Sequence, residues 1–137
     1  MRVFFALVLS GLIWSGAVRG ENAPPDAARA VIERQLDAFA RDDAGAAFAL
    51  AAPRIQEMFG DTDSFMAMVK RGYAPVYRHR SIEFGEFTAE GDEAQQVVTI
   101  VDVSNAVWKA LYKLGRQADG TWLVTGCVLT KAEESSI

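Results

Sequence analysis

Between Asp63 and Glu83 the chain carries basic side chains and no acid: Lys70, Arg71, Arg78, His79 and Arg80, with Tyr73 and Tyr77 interleaved. Arginine presents a planar fork of donors that suits carboxylate or phosphate, and tyrosine adds a hydroxyl and a ring face. Tyr73, Tyr77, Arg78, His79 and Arg80 are therefore candidate ligand-binding residues, for a small anionic or polar ligand or for a protein partner. A plainer reading stands beside this one. Lys70 and Arg71 would end a helix, where cations suit the C-terminal dipole. The arginines would pair with surface acids, Pro75 would hold the loop, and the tyrosines would plug the end of the core.

Other chemistry has less support. His79 is the sole histidine, which excludes a metal site needing two histidines. As a general base it would need an orienting carboxylate such as Asp102, Glu83 or Glu86. Asp102 with Tyr112 could serve isomerase or dehydratase chemistry, although Asp102 precedes a Ser-Asn turn that it would cap. No Gly-x-Ser-x-Gly elbow and no glycine-rich phosphate loop occurs, and Cys127 lies in an apolar stretch. The sequence thus assigns no catalytic residue, metal or cofactor.

Helices fill the first half of the chain and strands the second. Ala28, Val31, Ile32, Gln35, Leu36 and Phe39 recur at helical spacing over residues 26–42, with Asp26 as N-cap. Asp42-Asp43 caps a shorter helix, Pro53 opens a turn ended by Gly60, and a further helix from Thr62 or Asp63 stops at Gly72. Segments 80–88, 95–103, 106–115 and 121–131 read as strands, parted by Glu90-Gly91-Asp92, Ser104-Asn105 and Asp119-Gly120. Short connections imply antiparallel neighbours. The expected class is α+β, N-terminal helices packed on a curved four-stranded sheet. Strict alternation puts Trp122, Val124 and Val128 on one face of the last strand and Leu123, Cys127 and Leu129 on the other. That strand would be apolar on both faces, which points to a homodimer through the sheet or to loops curling over it.

Residues 1–20 form a charged start, an apolar run Val3–Trp14 and a small-residue exit, the pattern of a secretory signal peptide. Cleavage after Ala17 or Gly20 fits. An uncleaved anchor would need about 20 apolar residues. Residues 21–25 read as a linker, 26–131 as one domain and 132–137 as a tail. Loss of Arg2 and Arg19 with the leader leaves 12 Lys+Arg against 18 Asp+Glu, net −6. A chain so acidic is a poor binder of nucleic acid or anionic membrane. The single cysteine allows no internal disulfide, and no cysteine near the leader's exit could take a lipid anchor.

The stretch from Phe65 to Gly85, with its Gly72-Tyr73-x-Pro75-Val76-Tyr77-Arg78 centre, resembles an uncharacterised bacterial family, the domain-of-unknown-function family 4864. So do Val31–Phe39, Gly120-Thr121-Trp122 and Gly126-Cys127-Val128-Leu129. The resemblance implies an exported protein with a periplasmic address and no particular activity. More distantly, helices followed by a curved sheet are similar to the cystatin-like cone of the nuclear transport factor 2-like superfamily, whose members often enclose a pocket and dimerise through the sheet. The expected function is a non-catalytic domain binding a small anionic or polar ligand or a protein partner. The alternatives are a small isomerase- or dehydratase-type enzyme and a structural, dimerising subunit.

Overall fold

Ala28, Val31, Ile32, Leu36 and Phe39 form the buried face of helix α1, Pro24–Ala40, in a computed structural model that describes residues 24–132. The helix starts before Asp26, the expected N-cap. Both prolines fit its first turn, where no N–H is needed and the fixed φ is already helical. The expected leader, its cleavage positions and the tail beyond residue 132 lie outside the described residues. Among those described, no helix is long and apolar enough to cross a membrane.

Short polar side chains set the next helix starts. Asp43 Oδ1 accepts from the Ala46 amide at 3.1 Å and opens α2, Ala44–Ala49. Pro53 is the first residue of α3, Pro53–Phe59, which Gly60 ends at φ 80°, a conformation only glycine adopts without strain. Helix α4, Thr62–Gly72, starts and stops at residues the sequence offers, and Asp61 caps it by accepting from the Ser64 amide at 2.7 Å. The expected loop after Gly72 contains one more turn of helix, α5, Ala74–Tyr77, with Pro75 in its first turn.

The strands run as a meander, β1 (His79–Glu90), β2 (Glu93–Asp102), β3 (Val107–Arg116) and β4 (Trp122–Lys131), in the order β1-β2-β3-β4 and all antiparallel. Gly91, Asn105 and Gly120 take positive φ at the turns, as the turn chemistry anticipates. The α+β class expected from the sequence is the class observed.

Besides a register shift at the very start of β1, between His79 and Ser81, two irregularities bend the sheet. In β1 the register shifts between Phe84 and Phe87. Fully buried Gln96 fills the bend, its amide nitrogen donating to the carbonyls of Gly85, Glu86 and Val97, and its oxygen accepting from Arg29 Nε at 3.1 Å. In β4 Val124 pairs with Leu114, but Gly126 pairs with Lys113, so Thr125 is an extra residue. The extra residue reverses the alternation. Cys127 and Leu129 join Trp122 and Val124 in packing on the core, while Val128, expected with them, is 51% exposed.

The core lies between the inner sheet face and the helices. Val98, Ile100, Ala110, Tyr112, Leu114 and Val124 pack with the buried face of α1 and with Phe65, Met66 and Val69 of α4. Phe39, Phe48 and Phe59 surround Phe65 with ring centroids 5.4–6.1 Å away. Burying each such side chain is worth about 1.5–3 kcal/mol. One outer edge of β4 is covered as well. The Ala52 amide donates to the Val124 carbonyl at 2.8 Å, and the Val124 amide donates to the Leu50 carbonyl at 2.9 Å.

Candidate functional site

The basic segment is largely occupied with holding the fold. Arg78 Nη2 meets Asp42 Oδ2 at 2.7 Å, and its Nη1 donates to the Phe39 carbonyl at 2.7 Å, tying the end of α1 to the start of β1. Its guanidinium carbon lies 4.0 Å from the centre of the Tyr77 ring, and the Tyr77 hydroxyl donates to Asp42 Oδ1. These bonds, Tyr77 first and Arg78 second, hold the Asp42 carboxyl below its ordinary range, while Asp42 raises the Tyr77 phenol. Arg80 Nη1 donates to Asn105 Oδ1 at 2.7 Å and its Nη2 to the Val103 carbonyl at 3.2 Å, bracing the β2–β3 turn. His79 is partly exposed, but its Nδ1 is buried without a hydrogen-bond partner among the described residues.

Tyr73 is placed differently from its neighbours. It lines a cavity of about 310 Å³ between α3, α4, α5 and the inner face of β3 and β4. Tyr73, Met68 and Val69 come from α4 and its end, Ile55, Met58 and Phe59 from α3. Phe39 and Gln35 of α1, with Tyr112 and Cys127 of the sheet, complete most of the wall. The volume is at the lower end of small-molecule sites, which are typically about 300–1,000 Å³ and mainly apolar with a few placed polar groups. Met58 stands 64% exposed.

Few polar groups meet the cavity. The Tyr73 hydroxyl donates to the Cys127 carbonyl at 3.0 Å, satisfying a group on the edge of β4. Gln35 is buried and its amide nitrogen donates to the Ala47 carbonyl at 3.1 Å. Tyr112 is 1% exposed, and its hydroxyl is buried with no hydrogen-bond partner among the described residues. Burial pushes that phenol well above its ordinary range, so it remains an O–H donor at neutral pH. Burial likewise pushes the Cys127 thiol up to about 12, which leaves it protonated and unreactive.

Among the described residues, the wall contains no Asp, Glu, His, Lys or Arg. It therefore offers no carboxylate or imidazole base and no counter-ion for a charged ligand. Asp102 and Tyr112, the pair considered for isomerase or dehydratase chemistry, are not brought together. Asp102 accepts from the amides of Ser104 and Ala106 and from Trp108 Nε1 at 2.8–2.9 Å, and these bonds, Trp108 foremost, lower its carboxyl. It is a turn cap. Among the described residues, no group of three or more His, Cys, Asp or Glu is placed to hold a metal ion.

Sequence reasoning did not assemble this cavity. A glutamine inside the apolar stripe of α1 and a tyrosine between Ala110 and Leu114 were the available signals. Each put a polar atom on a face otherwise made of carbon.

Fold and site together define a small α+β domain with a largely apolar, ligand-sized cavity between its helices and an open sheet. The chain belongs to the family described as a domain of unknown function, DUF4864, which it matches over residues 22–137. No curated protein matches it. Among solved structures it is similar to the solution structure of a SEC-C motif containing protein from Rhodopseudomonas palustris. The two share 12% identity, with a TM-score of 0.50 over 72% of this chain and 75% of the other. That likeness concerns the fold alone.

Proposed function

We propose that this protein is an exported, non-catalytic domain that takes a small molecule into the cavity between its helices and its sheet. The observation that carries the reading is a 310 Å³ space walled by side chains from α1, α3, α4 and two strands in a chain of this size. Export rests on the charged start, apolar run and small-residue exit of residues 1–20. Of Tyr73, Tyr77, Arg78, His79 and Arg80, Tyr73 is the ligand contact in this reading, and Tyr77, Arg78 and Arg80 hold the frame. Absence of a cation among the described residues of the wall favours a neutral ligand over an anion.

Native mass spectrometry of the full-length product, recovered from the periplasm of a Gram-negative host, is the test. An added mass that leaves on denaturation is expected, together with loss of the leader. A bare polypeptide that also fails to bind Nile red, a neutral apolar dye, would remove the proposal.

A second reading concerns the outer sheet face and a second copy of this chain. Val97, Leu111 and Val128 form one register row across β2, β3 and β4 on that face. Lys109 and Lys113 flank the row on β3, while Glu83, Glu90 and Glu93 stand towards β1. A two-fold axis along the strands would set the basic half of one face against the acidic half of the other. Sedimentation equilibrium of the wild type and Val128→Lys checks this. A wild-type dimer that the substitution dissociates supports it, and a wild-type monomer at high concentration refutes it.

A further inference from the structure

Tyr112 is an expensive residue to place where it stands. Its ring contributes to the core, but phenylalanine would do that without burying a hydroxyl. A buried donor left without a partner costs about 1–3 kcal/mol, and most buried polar atoms in folded proteins have partners. A water molecule is a poor remedy, because a buried water needs two to four polar neighbours. The cavity that Tyr112 lines supplies mainly hydrocarbon.

We infer that the cavity's ligand is uncharged, with an apolar body and a terminal hydrogen-bond acceptor, such as a ketone, ester or ether oxygen, that takes the Tyr112 hydroxyl proton as its bond. The inference rests on the cavity reading above and adds the chemical class. The apolar body matches Phe39, Phe59, Phe65, Met68 and Val69. Neutrality follows from a wall whose described residues carry no charge, in which an ionised group would lose its hydration without gaining a partner. An acceptor, rather than a donor, follows from the phenol, whose proton has no acceptor among the described residues.

Three probes of one shape separate the possibilities: acetonaphthone, ethylnaphthalene and naphthoate, each measured by displacement of Nile red from the full-length processed protein. Acetonaphthone is expected to bind about tenfold more tightly than ethylnaphthalene, the worth of one net hydrogen bond. Naphthoate is expected to bind more weakly than either. In Tyr112→Phe the ketone's advantage over the hydrocarbon disappears while ethylnaphthalene binds as before. The variant melts no lower than wild type, because it loses a hydroxyl that had no partner. Equal binding of ketone and hydrocarbon to the wild type overturns the inference while leaving the cavity reading intact. So does a ketone preference that survives in Tyr112→Phe, or naphthoate as the tightest probe. Failure of all three to displace the dye overturns the chemical class, and failure of the dye itself to bind overturns the cavity reading with it.

Discussion

At the scale of single residues, buried polar groups were the least legible part of the sequence. Gln35, Gln96 and Tyr112 lie on apolar faces, and only the tertiary structure says which of them finds partners. Gln96 is fully satisfied and serves the bend in β1. Gln96→Leu should therefore cost about 1–3 kcal/mol, through carbonyls left without donors, read as a lower urea midpoint with an unchanged slope. Cys127 supports a prediction of opposite character. Its thiol is raised from 9.0 to about 12, so the folded chain keeps a proton that the unfolded chain releases. Stability is then full below about pH 9 and falls as pH rises towards 12, by about 1.4 kcal/mol per unit at the steepest. Denaturant titrations across that range should show the slope reduced in Cys127→Ala, with a remnant above pH 10 from Tyr112, whose phenol is raised in the same direction. The arginines illustrate why composition misleads. Lys70–Arg80 is acid-free along the chain, yet Asp42 reaches Arg78 from the far end of α1. Charge complementarity across folded distance is invisible to a reading by neighbours.

Among the elements, helices and strands were legible because their signals are local. Apolar spacing located α1 and α4, and Gly91, Asn105 and Gly120 located the sheet turns. What escaped were shifts of a residue or two. The prolines at the start of α1 extend it, and a turn of helix occupies the expected loop. The largest consequence came from Thr125. A single extra residue reverses which side chains of β4 face the core, and nothing in Leu123-Val124-Thr125-Gly126 requires the bulge there. Substitutions on adjacent residues check the reversal. Val128→Lys should change the unfolding free energy of the monomer by less than about 0.5 kcal/mol, as at an ordinary surface position. Leu129→Lys should cost several times more, since it directs a charge towards Trp108 and Tyr112 on the inner face. A chain with strict alternation would give the opposite order by equilibrium denaturation.

Over the whole molecule, the family and the α+β class were legible, while the cavity was not. It is walled by residues as distant in sequence as Gln35 and Cys127, and its existence depends on α3 and α4 standing off the sheet rather than filling it. The arginine frame belongs to this scale too. Substituting Arg78 and Arg80 together by alanine should lower the melting temperature, because the end of α1 and the β2–β3 turn lose their ties. Nile red affinity at a temperature where the variant stays folded should match the wild type. A large loss of dye binding without loss of stability would return the basic segment to the ligand site.

The short bridge between Ala52 and Val124 bears on how such a chain survives crowding. Sheet edges are templates on which other copies can add strands without limit. Here the Leu50–Ala52 segment occupies the Val124 part of that template, and the Tyr73 hydroxyl occupies the Cys127 carbonyl. Ala52 has φ −62°, close to that of proline, so Ala52→Pro keeps the local φ, but its ring replaces the amide hydrogen and pushes the Leu50–Ala52 segment off the Val124 carbonyl. At a temperature where the variant stays folded the guard is open, and thioflavin-positive fibrils should then grow from concentrated protein sooner than from wild type. The linker between two small helices thus doubles as a barrier to polymerisation.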